Sequence, residues 1–203
     1  EINSVSDNPL ILKDGSIISS GHFHAEHVAQ ALDTLGIAFS ELGAISERRS
    51  HYFMKGVDGR FPPFVTKNPG IESGYMIAHV TASALASENK TLAHPASVDS
   101  ISSSGGQEDL VSMAPWAGYK LLKIQENVYF ILAVELLIAG AANYISSVNK
   151  KSGKGLRTVI KLLALECDFE SGDRPLASEI NKLKNFIESG KLLNEVDKYI
   201  TME

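Results

Sequence analysis

"VYFILAVELLIAGAANYI", residues 128–145, decides what kind of chain this is. It is long and apolar enough to suggest a membrane span, which needs about 20 apolar residues. Glu135 falls in its middle, however, and it ends in small and polar residues. A carboxylate there is costly in lipid and ordinary inside a helical bundle, where it can find a partner. The stretch therefore reads as the central helix of a bundle.

Outward from it the chain keeps the same character. Val28, Leu32, Leu35, Phe39 and Leu42 recur at alternating spacings of four and three, predicting a long helix over 22–54 with one apolar face. "GVDGRFPPFVTKNPGIESG" (56–74) is a Gly- and Pro-rich loop. A helix over 75–90 follows, crowded with Ala and Ser and so able to pack closely. Residues 91–106 read as loop, and 107–148 as a helical zone with a break or kink at Pro115. After "NKKSGKG" (149–155), shorter helices are expected near 156–166, 176–189 and 191–200. Residues 1–21 look irregular, with turn chemistry at "SDNP". No alternating strand pattern and no repeat is visible. The expectation is one all-α domain over 1–203, with core helices in 1–148 and peripheral helices in 149–203.

Composition narrows the function classes. Hydrophobic residues make up 44% and charged residues 21%, ordinary for a globular protein. The net charge of −5, with no basic stripe, argues against a nucleic-acid partner. The single cysteine, Cys167, permits no internal disulfide and fits a reducing, cytoplasmic setting. It has no base nearby in sequence and reads as a packing residue. No signal-peptide pattern or membrane span is expected. The chain opens at Glu1 rather than Met, which suggests a segment of something longer.

Several stretches carry possible chemistry. In "SSSGGQEDLVSM" (102–113), Ser104 and Gln107 have capping-box spacing, and Glu108 and Asp109 would then occupy a helix's first turn. The functional alternative turns Gln107 and Glu108 into a cavity to hold a polar ligand, with two glycines giving the backbone room to approach it. "HFHAEH" gathers His22, His24 and His27, but without the i, i+4 spacing of a helical zinc motif, so no metal is expected. "SERRSHYF" (46–53) and "SENK" (87–90) read as solvated or salt-bridged helix faces. "SGKGLRT" (152–158) lacks phosphate-loop spacing and a preceding strand.

Taken together, "EINSVSDNPL", "SSGHFHAEHVAQALD", "ELGAISERR", "SGYMIAHVTASALASENKTLAHPASVDSI", "QEDLVSMAPWAG" and "SGDRPLASEI" resemble, in that order, the C-terminal part of the histidine ammonia-lyases. The likeness covers nearly the whole chain. It implies a long-helix bundle of the ammonia-lyase/fumarase type, assembled as a homotetramer. The reaction it implies is elimination of ammonia from L-histidine to give trans-urocanate. The chemistry would depend on 4-methylidene-imidazol-5-one (MIO), formed from an Ala-Ser-Gly tripeptide, with a tyrosine as base. By the same resemblance, Asn8 and Phe23 match residues near the substrate and the prosthetic group, Met76 matches a substrate-pocket position, and Gln107 and Glu108 match the family's "QED". A carboxylate at Glu108 can accept an imidazole N–H and stabilise its charge. The related phenylalanine lyases carry Gln at the Glu108 position and Lys at the Met76 position, so this pair favours histidine, although related tyrosine enzymes also carry Glu there.

Departures cluster around that pocket. His22 stands where the family has Asn, Ser20 where it has Gly, and His27 where Pro is common. "QEDHVSM" has become "QEDLVSM", with Leu110 for His, and "PTSANQED" has become "SSSGGQED". They bear on the substrate more than on the fold, and leave tyrosine or phenylalanine ammonia-lyases and aminomutases as alternatives. Ala-Ser-Gly does not occur in the chain. The family carries the tripeptide, the tyrosine loop and a carboxylate-binding arginine upstream, so this chain alone is expected to be inactive. Three readings follow: a piece of a complete lyase, a short chain that pairs with another carrying the N-terminal half, or a non-catalytic helical assembly subunit. Self-association is expected in each, with 128–145 partly uncovered in a monomer.

Overall fold

The computed structural model describes residues 1–56, 60–146 and 152–199. They form a two-strand hairpin, β1 (Leu10–Ile11) and β2 (Ile17–Ile18), and the helices α1 (Glu26–Met54), α2 (Met76–Leu92), α3 (Ala114–Ile145), α4 (Lys154–Glu166), α5 (Ala177–Glu188) and α6 (Lys191–Asp197). The all-α class holds, with long helices first and shorter ones after. Residues 1–21 do pair briefly, Leu10 with Ile18 and Ile11 with Ile17, because a turn at Asp14–Gly15 folds them back. The expected junction at 148–149 and the last residue of the helix expected over 191–200 lie outside the described residues.

By contact the chain forms two compact units, Glu1–Glu41 with Glu88–Glu126, and Leu42–Ser87 with Asn127–Glu203. The helices α1, α2 and α3 contribute residues to both. In the second unit Ile131, Ala133, Val134, Leu137, Ile138, Ala141 and Ala142 are buried, while residues 132, 135, 136 and 139 on one side of the same stretch are only half-buried. Against them pack Ala78, Ala82 and Ala86 of α2, spaced one turn apart, with Leu163 of α4 and Leu183 of α5 in the same core. Each large aliphatic side chain there contributes roughly 1.5–3 kcal/mol. Gly140 lets this packing close, since a Cβ would lie 2.7 Å from Phe169 Cζ and 3.2 Å from Leu163 Cδ1 and those side chains would have to shift.

Glu135, the charge that argued against a membrane span, is paired. Arg49 grips it through Nε and Nη2, and the Ser46 hydroxyl donates to Oε2 at 2.6 Å. The helices α1 and α3 meet length and hydropathy criteria for membrane crossing, but half of the most apolar window of α3 is buried against protein. The stretch 128–145 is partly uncovered, as expected: α2, α4 and α5 cover one side of it, while 132, 135, 136 and 139 stay half-buried and Tyr144 is exposed.

Two expectations need correction. The apolar stripe on α1 is not its buried face: Leu35 is 48% and Leu42 41% exposed. The buried side is small and polar, with Ala29, Asp33, Gly36, Gly43, Ser46, Glu47 and Ser50. Small residues let a neighbour approach closely, as Ile124 does at Gly36, where an added Cβ would sit 3.3 Å from Cδ1. "SERR" is therefore not simply a solvated face, because Ser46 and Glu47 point inward while Arg48 and Arg49 reach outward to pair. The second correction concerns α3, which starts at Ala114 and not at 107. Pro115 neither breaks nor kinks it. It occupies the first turn, where a missing N–H costs nothing and the fixed φ suits the helix.

Candidate functional site

The site residues expected in the first unit are held by serines and one aspartate. Asp33 is buried on α1, and its two carboxylate oxygens accept the amides of Ala96 and Ser97 at 3.0 and 2.8 Å. Burial opposes ionisation of this carboxyl, but the Ser97 and Ala96 amides and the Lys120 ammonium at 3.8 Å outweigh it, and its pKa lies below the ordinary value. Lys120 also donates to the His94 carbonyl. The loop after α2 is thereby fixed on both sides. From it the Ser100 hydroxyl makes hydrogen bonds with both the amide and the carbonyl of Val111, at 2.9 and 3.2 Å. Next along, the Ser112 hydroxyl donates to the His24 carbonyl.

That last bond ties the "QEDLVSM" segment to the 3-10 turn His22–His24 that carries Phe23. The turn is held from its other end as well. The His22 amide donates to Ser20 Oγ at 3.4 Å, and the Ser20 amide donates to Asn8 Oδ1 at 3.0 Å. Asn8, Phe23 and the segment after Glu108 are thus linked through one hydrogen-bonded path. Phe23 is 43% exposed, with its ring 4.3 Å from that of His24. The Nδ2 of Asn8 makes no hydrogen bond among the described residues, which leaves a donor directed by the bond at Oδ1.

Gln107 and Glu108 do not open a helix. The Ser103 amide donates to the Glu108 carbonyl at 2.8 Å, and the Glu108 amide returns to the Ser103 carbonyl at 3.3 Å. The intervening Ser104, Gly105 and Gly106 have φ of 54°, 66° and 88°. Three successive left-handed residues make a tight reversal, and glycine adopts that backbone without steric cost. The capping-box spacing of Ser104 and Gln107 is therefore used for a hairpin, not a helix cap. Gln107, Glu108, Asp109 and Leu110 are all exposed on its return arm. Such a loop presents a carboxamide and a carboxylate to a polar ligand.

Met76 belongs to the second unit, as the first residue of α2. The turn before it is fixed by Asp173, whose oxygens accept the Ser73 and Gly74 amides, both at 2.8 Å. Among the described residues no three His, Cys, Asp or Glu side chains are placed to hold a metal ion. His27 lies 3.3 Å from the Glu1 carboxylate instead. Cys167 is buried at the end of α4, and burial pushes its thiol pKa up to about 12, which leaves it a packing residue. Of residues 152–158, Lys154 onward opens α4, with Gly153 immediately before it.

Sequence reasoning missed Asp33, Ser100, Ser112 and Asp173, the residues that position the others. Asp33 carries a signal, since a carboxylate stands between Ala29 and Gly36 on the small-residue side of α1. The serines carry none, because their partners lie 11 and 88 residues away.

Comparison with known proteins agrees with this architecture. The model of the aromatic amino acid lyase family matches residues 1–164. A histidine ammonia-lyase of Aliivibrio fischeri is 50% identical over 188 residues, covering 92% of this chain and 37% of that protein. The crystal structure of histidine ammonia-lyase from Trypanosoma cruzi superposes with a TM-score of 0.90 at 40% identity, over 98% of this chain and 40% of that one. Tyrosine aminomutase from Streptomyces globisporus superposes with a TM-score of 0.91 at 28% identity, over all of this chain and 39% of that one. The chain thus spans about two-fifths of the length of the relatives it matches. With the family's pattern matched across most of its residues and the lyase fold reproduced throughout, the chain belongs to the aromatic amino acid lyase family.

Proposed function

We propose that this chain is part of a histidine ammonia-lyase, which eliminates ammonia from L-histidine to give trans-urocanate, and that it supplies part of the active site. The observation that carries the reading is the glycine hairpin that displays Gln107 and Glu108, tied through Ser112 to the Phe23 turn and onward to Asn8. The named relatives support histidine as the substrate class.

Each residue has a chemical role in this proposal. The Glu108 carboxylate accepts the imidazole N–H and stabilises positive charge on the ring, a charge-assisted hydrogen bond of the stronger kind. Gln107 adds an amide that both donates and accepts. Met76 supplies apolar contact to the substrate side chain. The chain's residues also fit the family's MIO group: the free Asn8 Nδ2 suits a carbonyl oxygen, and Phe23 offers an open ring face. When bound, that group supplies the electrophile that labilises an otherwise unreactive position of the amino acid. Its Ala-Ser-Gly precursor does not occur among these 203 residues. The complete site therefore needs a further chain segment, on the same polypeptide or on a partner, and we place the assembly in the cytoplasm.

The test is turnover of L-histidine by the complete protein, followed by urocanate absorbance. Glu108→Gln should lower kcat/KM by about 10- to 100-fold, the loss expected for one hydrogen bond to a charged group. The 203-residue chain alone should produce no urocanate, and clear turnover by it would overturn the partial-site reading. A second reading rests on Leu110, which replaces a histidine of the family pattern, and on the likeness to a tyrosine aminomutase. A complete protein that isomerises L-tyrosine and leaves L-histidine untouched would favour it.

A further inference from the structure

The segment after α4 is braced far more heavily than a peripheral connection needs. The Arg174 guanidinium bonds the Glu179 carboxylate, with Nη2 to Oε2 at 2.8 Å, and also the carbonyls of Asp168, Ser171 and Gly172. Glu179 in turn accepts the Asp168 amide at 3.0 Å. The Asp168 side chain closes the loop on itself through the Glu170 and Ser171 amides. The ten-residue connection 167–176, with this many side-chain bonds, has one backbone course. Its output is the carboxylate of Asp173, set to take the Ser73 and Gly74 amides, one on each oxygen.

The receiving side is shaped to match. Gly74 has φ of 55°, and a Cβ there would lie 2.4 Å from the Phe64 carbonyl oxygen, so no other residue fits. The Tyr75 amide donates to that same carbonyl at 3.0 Å, and the Tyr75 side chain is buried. The next residue is Met76. The clamp lies within 168–179, outside the residues 1–164 that match the family model.

We propose that Asp173 is a positioning residue for substrate selection: it fixes the turn that enters α2, and so sets where Met76 meets the substrate. This rests on the pocket role given to Met76 above. Asp173 touches no substrate. Its geometry is bidentate, so Asp173→Asn, which keeps the shape, loses one acceptor and sets an N–H against a backbone N–H. Asp173→Ala loses both bonds.

The experiment uses the complete protein with two readouts. Amide hydrogen exchange across 72–78 should be faster in both variants. The KM for L-histidine should rise about tenfold, with kcat changed far less, because the turn governs binding and not the reacting atoms. The ratio of activity on L-histidine to that on L-tyrosine should move as well. Faster exchange with KM and that ratio unchanged would reduce Asp173 to a structural brace and overturn the proposal, as would unchanged exchange. If the unmodified protein fails to turn over histidine, the lyase reading falls, and exchange together with binding of L-histidine or L-tyrosine decides the clamp separately. If Asp173→Ala does not fold, Asp173→Asn carries both readouts.

Discussion

Two glycines with similar backbone angles have different jobs, and the difference is measurable. Gly106 has φ of 88° with nothing within 4 Å of an added Cβ, so Gly106→Ala meets only backbone strain, about 1–2 kcal/mol. Gly74→Ala adds a collision with the Phe64 carbonyl, which is backbone and cannot swing aside. It should cost more than the Gly106 change, ~3 kcal/mol or above. Thermal denaturation of the two variants checks the order. Their activities should rank the other way for the folded fraction: Gly106→Ala moves Gln107 and Glu108 directly and should lower kcat/KM well beyond its effect on stability. A Gly106→Ala protein with full activity would mean that the hairpin does not aim those side chains.

At the scale of elements, the long helices were readable and their faces were not. The apolar run 128–145, the Ala-rich α2 and the punctuation at "GVDGRFPPF" mark elements by local chemistry alone. Which side of α1 is buried depends on partners far along the chain: Ser46 meets Glu135, 89 residues away, and Glu47 meets His79, 32 residues away. The hairpin at 103–108 was misread because Ser104 and Gln107 carry the same spacing as a helix cap, and only the φ of three successive residues separates the two. Glu47 gives the element-scale prediction. Burial works against its ionisation, but bonds from Arg48, Ser83 and His79 win, and its pKa falls to about 2. In the unfolded chain the same carboxyl takes up a proton near 4.5. Its contribution is therefore complete above that value and disappears as pH falls from about 4.5 to 2, where only the unfolded state gains the proton. The contribution is at most roughly 3 kcal/mol. Wild type should exceed Glu47→Gln in thermal stability at neutral pH, and the gap should close across that acidic window. A gap constant with pH would mean that the ionised carboxylate is not what binds α1 to α2.

At the scale of the whole molecule, the α1 stripe left uncovered predicts association. Ile45 is 54% and Tyr52 57% exposed, on the same helix as the exposed Leu35 and Leu42. Leu42, Ile45 and Tyr52 are spaced by three and seven residues, which sets them along one side of α1. Isolated exposed apolar residues are ordinary, but a continuous line of them along a helix marks a surface that another protein covers. Charge does not oppose a second copy there, because Arg49 is already neutralised by Glu135 and Arg48 by Glu47. A cavity of about 650 Å³ between Ile45, Arg48, Tyr52 and Ala139 offers a recess for an apolar side chain. Since an interface that is closed and symmetric repeats each contact, one substitution acts at least twice. Ile45→Glu should therefore lower the mass seen by light scattering while leaving helix content unchanged by circular dichroism. A variant that keeps the parent's mass would move the interface to the other uncovered apolar line, Trp116, Tyr119 and Leu122 of α3, where Tyr119→Glu makes the same measurement. A protein that is monomeric before any substitution would rule out the self-association argued from this stripe.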